Sequence, residues 1–182
     1  MAGVGAQTMI GAIAESASQS SRVWSRCAVA PADRHDEPLF GPIAGGAFAE
    51  GVELIYEGFL VHHAPRGRAF AAPDREQGLL LGDYLYATGL VHVCRAGDVA
   101  AIAALADLVS LAAHLRVESG NAVDGELWLA TARYIAGPRD AGLQQARDAL
   151  RAGDPTLLLA LVADPEALAP LAEHRRLMGD AA

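Results

Sequence analysis

Few residues in this chain could do chemistry, and most of them fall between positions 50 and 114. Glu50, Glu53 and Glu57 are spaced three and four apart, so a helix would carry them on one face. Such a row could be half of a metal site, but di-iron carboxylate bundles also need Glu-x-x-His, and no Glu here has a His at that spacing. The row therefore reads as a solvated face paired with Arg66, Arg68 or Arg75. His62 and His63 lie next to Arg66 and Arg68. That group could bind an anion such as a diphosphate, or satisfy the helix's own last carbonyls. Asp107, Ser110 and His114 form a third candidate, since an imidazole near a carboxylate can do acid–base work. On one helix, however, Asp107 and His114 stand two turns apart, roughly 10 Å, and read as a solvent-facing stripe.

Asp83 is more informative. Placing Leu80, Ala87, Leu90 and Cys94 inward carries Asp83 inward with them and leaves Tyr84, Thr88, His92 and Arg95 outside. A buried carboxylate must be paired or hydrogen-bonded. On this phase Asp83 either ties two helices together or lines a polar pocket with Tyr84 or Tyr86. No dinucleotide fingerprint, phosphate loop, nucleophile elbow, zincin motif or calcium loop occurs. Cys27 and Cys94 have no metal-ligand spacing, which points to a reducing cytoplasm.

The elements that must position these residues are helical. Hydrophobic residues make up 52 % and aromatics 5 % of the 182 positions, so the core is built from small and aliphatic side chains. Phe48, Val52, Ile55, Phe59 and His62 follow helical spacing within 44–63. A second helix is expected from about Asp74 to Arg95, where Gly82 and Gly89 offer a flat stripe for another helix. A third, from Val99 to about Glu118, is apolar nearly all round and is expected at the centre of the bundle. A fourth runs from Val123 to Ala136. We divide the chain into an N-terminal helix (1–20), a loop or linker (21–43), a helical core (44–136) and short C-terminal helices packing on it (137–182). All 14 basic side chains are arginine against 22 acids, and the net charge of −8 argues against nucleic acid as a partner. The longest uninterrupted apolar run, Val99 to Ala106, is short of the ~18 residues of a membrane span, so no integral segment is expected.

The stretch Leu79-Leu80-Leu81-Gly82-Asp83-Tyr84-Leu85-Tyr86-Ala87, followed by Gly97-Asp98 and a long Ala/Leu helix, resembles the middle of trans-polyprenyl diphosphate synthases. The resemblance covers about residues 76–118. It implies an all-α antiparallel bundle, isoprenoid-synthase-like and truncated. Where those enzymes carry a Gly-Glu element this chain has Glu118-Ser119-Gly120, and their paired-aspartate motifs are missing, since no two aspartates are adjacent. In this respect the chain is similar to the non-catalytic small subunit of two-component prenyl diphosphate synthases. The expectation is an accessory protein, homo- or hetero-oligomeric, that binds a prenyl synthase subunit or an apolar isoprenoid-type ligand without catalysis or cofactor. Two alternatives stand beside it. One is a transferase acting on prenyl diphosphates through an atypical site, which would need magnesium. The other is a structural helical interaction protein. The pocket candidates are Asp83, Tyr84, Tyr86, His62, His63, Arg66, Arg68, Asp107 and His114.

Overall fold

The computed structural model describes residues 7–118 and 123–179, with Glu118 described in its backbone only. The Gly120-Asn121 turn and most of the Glu118-Ser119-Gly120 element lie outside them. The described residues are all-α: α1 (Met9–Ser20), α2 (Arg22–Cys27), α3 (Gly41–Ala44), α4 (Ala49–His63), α5 (Arg75–Cys94), α6 (Val99–Glu118), α7 (Asp124–Ala136), α8 (Gly142–Arg151), α9 (Thr156–Leu161) and α10 (Leu168–Met178). Among them there is no strand, only an isolated antiparallel bridge between Ala28 and Phe70. The 21–43 segment is more than a linker. It holds α2 and α3, and Phe40 is buried against Tyr56 and Trp128.

Helix starts follow the local chemistry. The Asp74 carboxylate accepts from the Gln77 amide and opens α5, and Asp98 accepts from the Ala101 amide to open α6. In the C-terminal third Asp140 and Asp154 accept from the amides of Gly142 and Thr156 in turns just before α8 and α9, and Asp164 caps the 3-10 turn Pro165–Ala167 that leads into α10.

Two helices meet almost backbone to backbone. Gly51 and Gly58 of α4 face Gly89 and Gly82 of α5, so the flat stripe on α5 does receive a partner. A methyl group on Gly89 would come within 2.7 Å of the Gly51 carbonyl, and one on Gly58 within 2.9 Å of the Gly82 carbonyl. Such contacts leave no room for a side chain. This sets the phase of α5. Gly78, Leu81, Gly82, Leu85, Gly89 and Val93 face inward, and Leu80, Asp83, Ala87 and Cys94 face out. The inward placement of Asp83 is thereby overturned, because its side chain is 72 % exposed.

The centre belongs to α4 and α7. Every residue of α4 from Gly51 to Leu60 is buried, as is every residue of α7 from Asp124 to Ala132. Helix α6 lies to one side instead of at the centre. Leu105, Leu108, Leu111, Ala112 and Leu115 pack inward, while Val99, Ala103, Ala106, Ser110 and Val117 are exposed. By length and composition alone, Val99–Val117 would suffice to cross a membrane, a test that core helices of soluble proteins also pass.

Candidate functional site

The glutamate row does not face water. Glu53 and Glu57 are fully buried, and the cation between them is Arg68, 1 % exposed. Its Nη1 stands 2.6 Å from Glu53 Oε2 and its Nε 3.0 Å from Glu57 Oε2. The remaining carboxylate oxygens are also used. Glu53 Oε1 accepts from the amides of Leu39 and Gly41, and Glu57 Oε1 accepts from the amide of Ala69. Burial alone would lower the Arg68 pKa, but the two carboxylates outweigh it and raise it. The guanidinium also sits 4.9 Å above the Tyr56 ring. Arg68 therefore leaves the set of pocket residues, because both faces of its charge are occupied. Only Glu50 of the row stays at the surface, 3.5 Å from His92.

A second buried chain of polar groups runs beside it. Tyr56 Oη is 2.9 Å from His174 Nδ1, and His174 Nε2 is 3.4 Å from Asp124 Oδ1. A proton on Nε2 serves both contacts, with the tyrosine hydroxyl donating to Nδ1. Arg116 donates to Asp124 Oδ2 at 2.6 Å. Burial pushes the Asp124 carboxyl up, yet His174 and Arg116 hold it below its ordinary value. Burial also pushes Tyr56 well above the usual phenol range. His63 lies tilted against Phe59 near this chain of groups, with ring centroids 4.8 Å apart. Its pKa is brought down to about 4, first by burial and then by His62 and Arg116. The network joins α4, α6, α7 and α10 and rigidifies the core.

The remaining candidates scatter. Tyr84 packs on Trp24, with ring centroids 5.5 Å apart. Tyr86 meets His62 edge-on at 5.0 Å over the Gly58 contact, and its phenol pKa is raised by burial. Asp107, half exposed, pairs with Arg147 at 3.5 Å and Arg151 at 3.8 Å. His114 stands apart from it, beside Ser110 and Arg151 on an open depression. Among the described residues no group of three or more His, Cys, Asp or Glu could hold a metal ion.

His62 and Arg66 do come together. They line a cleft of about 400 Å³ formed by the end of α4, the 64–74 connection and the first turn of α5. His62 Nε2 is 3.0 Å from the Leu79 carbonyl and 3.6 Å from Asp83, and Arg66 donates to the Asp33 carbonyl at 3.1 Å. The cleft also contains Arg75, which sequence reasoning had placed only as a partner for the glutamates. A signal for it existed: Arg75 is the first residue of its helix, where a cation opposes the helix dipole.

The outer side of α5 is the other notable surface. Leu80 is 60 % and Val91 55 % exposed, and Ala87 and Cys94 are exposed between and beyond them. No family model, curated protein or solved structure matches this chain.

Proposed function

We propose that this chain is an accessory helical protein that acts by association, docking through the outer face of α5 onto a second copy of itself. The observation that carries this reading is the seam Leu80, Tyr84, Ala87, Val91, Cys94, in which Tyr84 is half-buried against Trp24 and the other four are exposed. Its spacing of four, three, four and three is the repeat by which helices pair side by side. A seam of this kind is matched by another helix with the same repeat. Every copy of the chain carries one, and pairing about a two-fold axis covers both at once. Ala87 stands in the middle of the seam, where a small side chain lets two helices approach closely.

The filled interior supports association over retention of an apolar ligand between the helices. Trp128, Tyr56, Phe59 and Phe40 occupy the space such a ligand would need. The seam spans only about two heptads, so the dimer is expected to be weak and concentration-dependent. The finer assignment of the bundle as truncated and isoprenoid-synthase-like belongs to this proposal and is supported by the Leu79–Ala87 segment. On that assignment a prenyl synthase subunit is the alternative occupant of the same face.

Sedimentation velocity across a concentration series tests the proposal. The wild type should show reversible dimerisation, and Val91→Glu, at an exposed position, should stay monomeric with an unchanged melt. Dimerisation unaffected by Val91→Glu would overturn the face. A wild type monomeric throughout, or one that pairs only with a prenyl synthase subunit, would overturn self-association.

A further inference from the structure

Among the described residues two arginines are buried, Arg68 and Arg147. An exposed arginine without a carboxylate is solvated by water, whereas a buried one must find its acceptors in the protein. Arg68 finds them in Glu53 and Glu57. Arg147 is left incomplete. Its Nη2 donates to the Ala104 carbonyl at 2.7 Å and the Thr131 hydroxyl at 3.0 Å, but its Nε is buried with no acceptor. Its Nη1 has only Asp107 Oδ2, at 3.5 Å, longer than a charge-assisted hydrogen bond, and the Asp107 side chain is 45 % exposed. The balance found at Arg68 is therefore inverted. Burial lowers the pKa of Arg147, and Asp107 does not offset it.

Arg147 lines a depression of about 200 Å³ between α6 and α8, where Ala100 and Ala103 are exposed. A second depression of about 200 Å³ adjoins it, sharing Tyr134, Asp140 and Leu143 and running on to Pro138 and the exposed Leu161. Joined, they fall in the range of small-molecule sites. The surface they offer is mainly apolar. Two carboxylates also line the first depression, Asp107 and Asp140, the latter accepting from the Gly142 amide through Oδ1. A free anion entering here meets two carboxylates for one incomplete guanidinium and is repelled. An amide suits both signs of charge, since its oxygen only accepts and its N–H only donates.

We infer that this trough binds a small uncharged amide on an apolar body. The amide oxygen accepts from Arg147 Nη1, its N–H donates to the Asp140 carboxylate, and the body lies against Tyr134, Pro138 and Leu161. The inference stands independently of the docking face on α5. It supplies the acceptor that a buried guanidinium lacks within the folded chain.

Ligand-detected NMR titration of the full chain tests the site, with benzamide as the probe, benzoate as its charged isostere and acetophenone as the carbonyl without an N–H. Saturable binding of benzamide is expected, with benzoate and acetophenone each at least several-fold weaker. Ala103→Phe sets a ring in the depression from an exposed position and should weaken benzamide tenfold or more. Ala106→Phe, exposed on the next turn of α6 and outside the depression, should leave it unchanged. Arg147→Met removes the donor and should weaken benzamide to a similar degree. Thermal melts without ligand establish which variants are folded, and Ala103→Phe carries the test where Arg147→Met does not fold. Absence of saturable binding, or equal binding by Ala103→Phe, would overturn the site. Benzoate as tight as benzamide would overturn the uncharged ligand, and acetophenone as tight would overturn the Asp140 contact. Unchanged binding by a folded Arg147→Met would overturn the role of Arg147.

Discussion

Helix α4 carries three glutamates and two histidines and lies buried over most of its length, whereas α5 and α6, richer in leucine, valine and alanine, lie at the surface. By hydropathy α6 should lie at least as deep as α4. The difference teaches that burial here follows the availability of partners and the closeness of backbones. Glu53 and Glu57 enter the core because Arg68 and three backbone amides complete them. A charge in the interior is tolerable only when paired and hydrogen-bonded, and these two are both. Leu80 and Val91 stay outside because the glycine side of α5 makes the closer contact with α4.

The contrast can be broken most forcefully at Arg68. Arg68→Ala strands two buried carboxylates and should cost about 3–5 kcal/mol in denaturant melts. Arg68→Met combined with Glu53→Gln and Glu57→Gln should recover much of that loss, since no unpaired charge then remains. Recovery absent from the triple variant would mean that the bonds to Leu39, Gly41 and Ala69 matter more than the ion pairs.

A smaller effect separates the buried network from the surface by pH. The His63 pKa of about 4 in the fold lies below the ordinary 6.5. Between these values the unfolded chain binds more protons, so stability rises with pH across this window and is lost as pH falls through it. Asp124, held below 3.8, adds a loss at still lower pH, because its native carboxylate must then be protonated. Melts of His63→Gln should show a flatter dependence between pH 6.5 and 4 while keeping the loss below pH 4. An unchanged slope would place the titration elsewhere.

The smallest effect is expected on the outer face of α5. Asp83→Ala should melt within about 0.5 kcal/mol of the wild type, as exposed substitutions generally do. A larger loss would show that this carboxylate has a partner that its exposed position and its 3.6 Å distance from His62 do not suggest.

Much of the architecture was legible in the residues. The helix starts expected near Asp74 and Val99, helical spacing through 44–63 and the Gly82/Gly89 stripe lead to the observed α4, α5 and α6. The face of α5 was not, because hydropathy ranks Leu80 above Gly89, while a glycine can bury backbone against backbone. The glutamate row misled for a related reason. Spacing shows that three acids share a face but not that a loop arginine eleven residues on will be enclosed between two of them. His174 was wholly invisible, since its contact with Tyr56 joins positions 118 residues apart. Of the cleft, His62 and Arg66 were found from adjacency alone. Arg75 was missed as a member because the chain between positions 66 and 75 had to fold back to bring it there.

The glycine seam between α4 and α5 has a mechanical consequence. Side chains act as springs in most helix contacts, shifting rotamer to absorb small displacements, whereas at Gly51/Gly89 and Gly58/Gly82 a carbonyl of one helix stands against the other's backbone, with Ile55, His62, Tyr86 and Val93 packed around it. Sliding would have to proceed by a whole turn, about 5.4 Å, since intermediate positions drive Cβ atoms into carbonyls. The paired stretch is at most about 22 Å long, the length of the 15-residue α4. Adding a side chain at Gly51, Gly58 or Gly89 therefore requires the two backbones to move apart, not one rotamer to adjust.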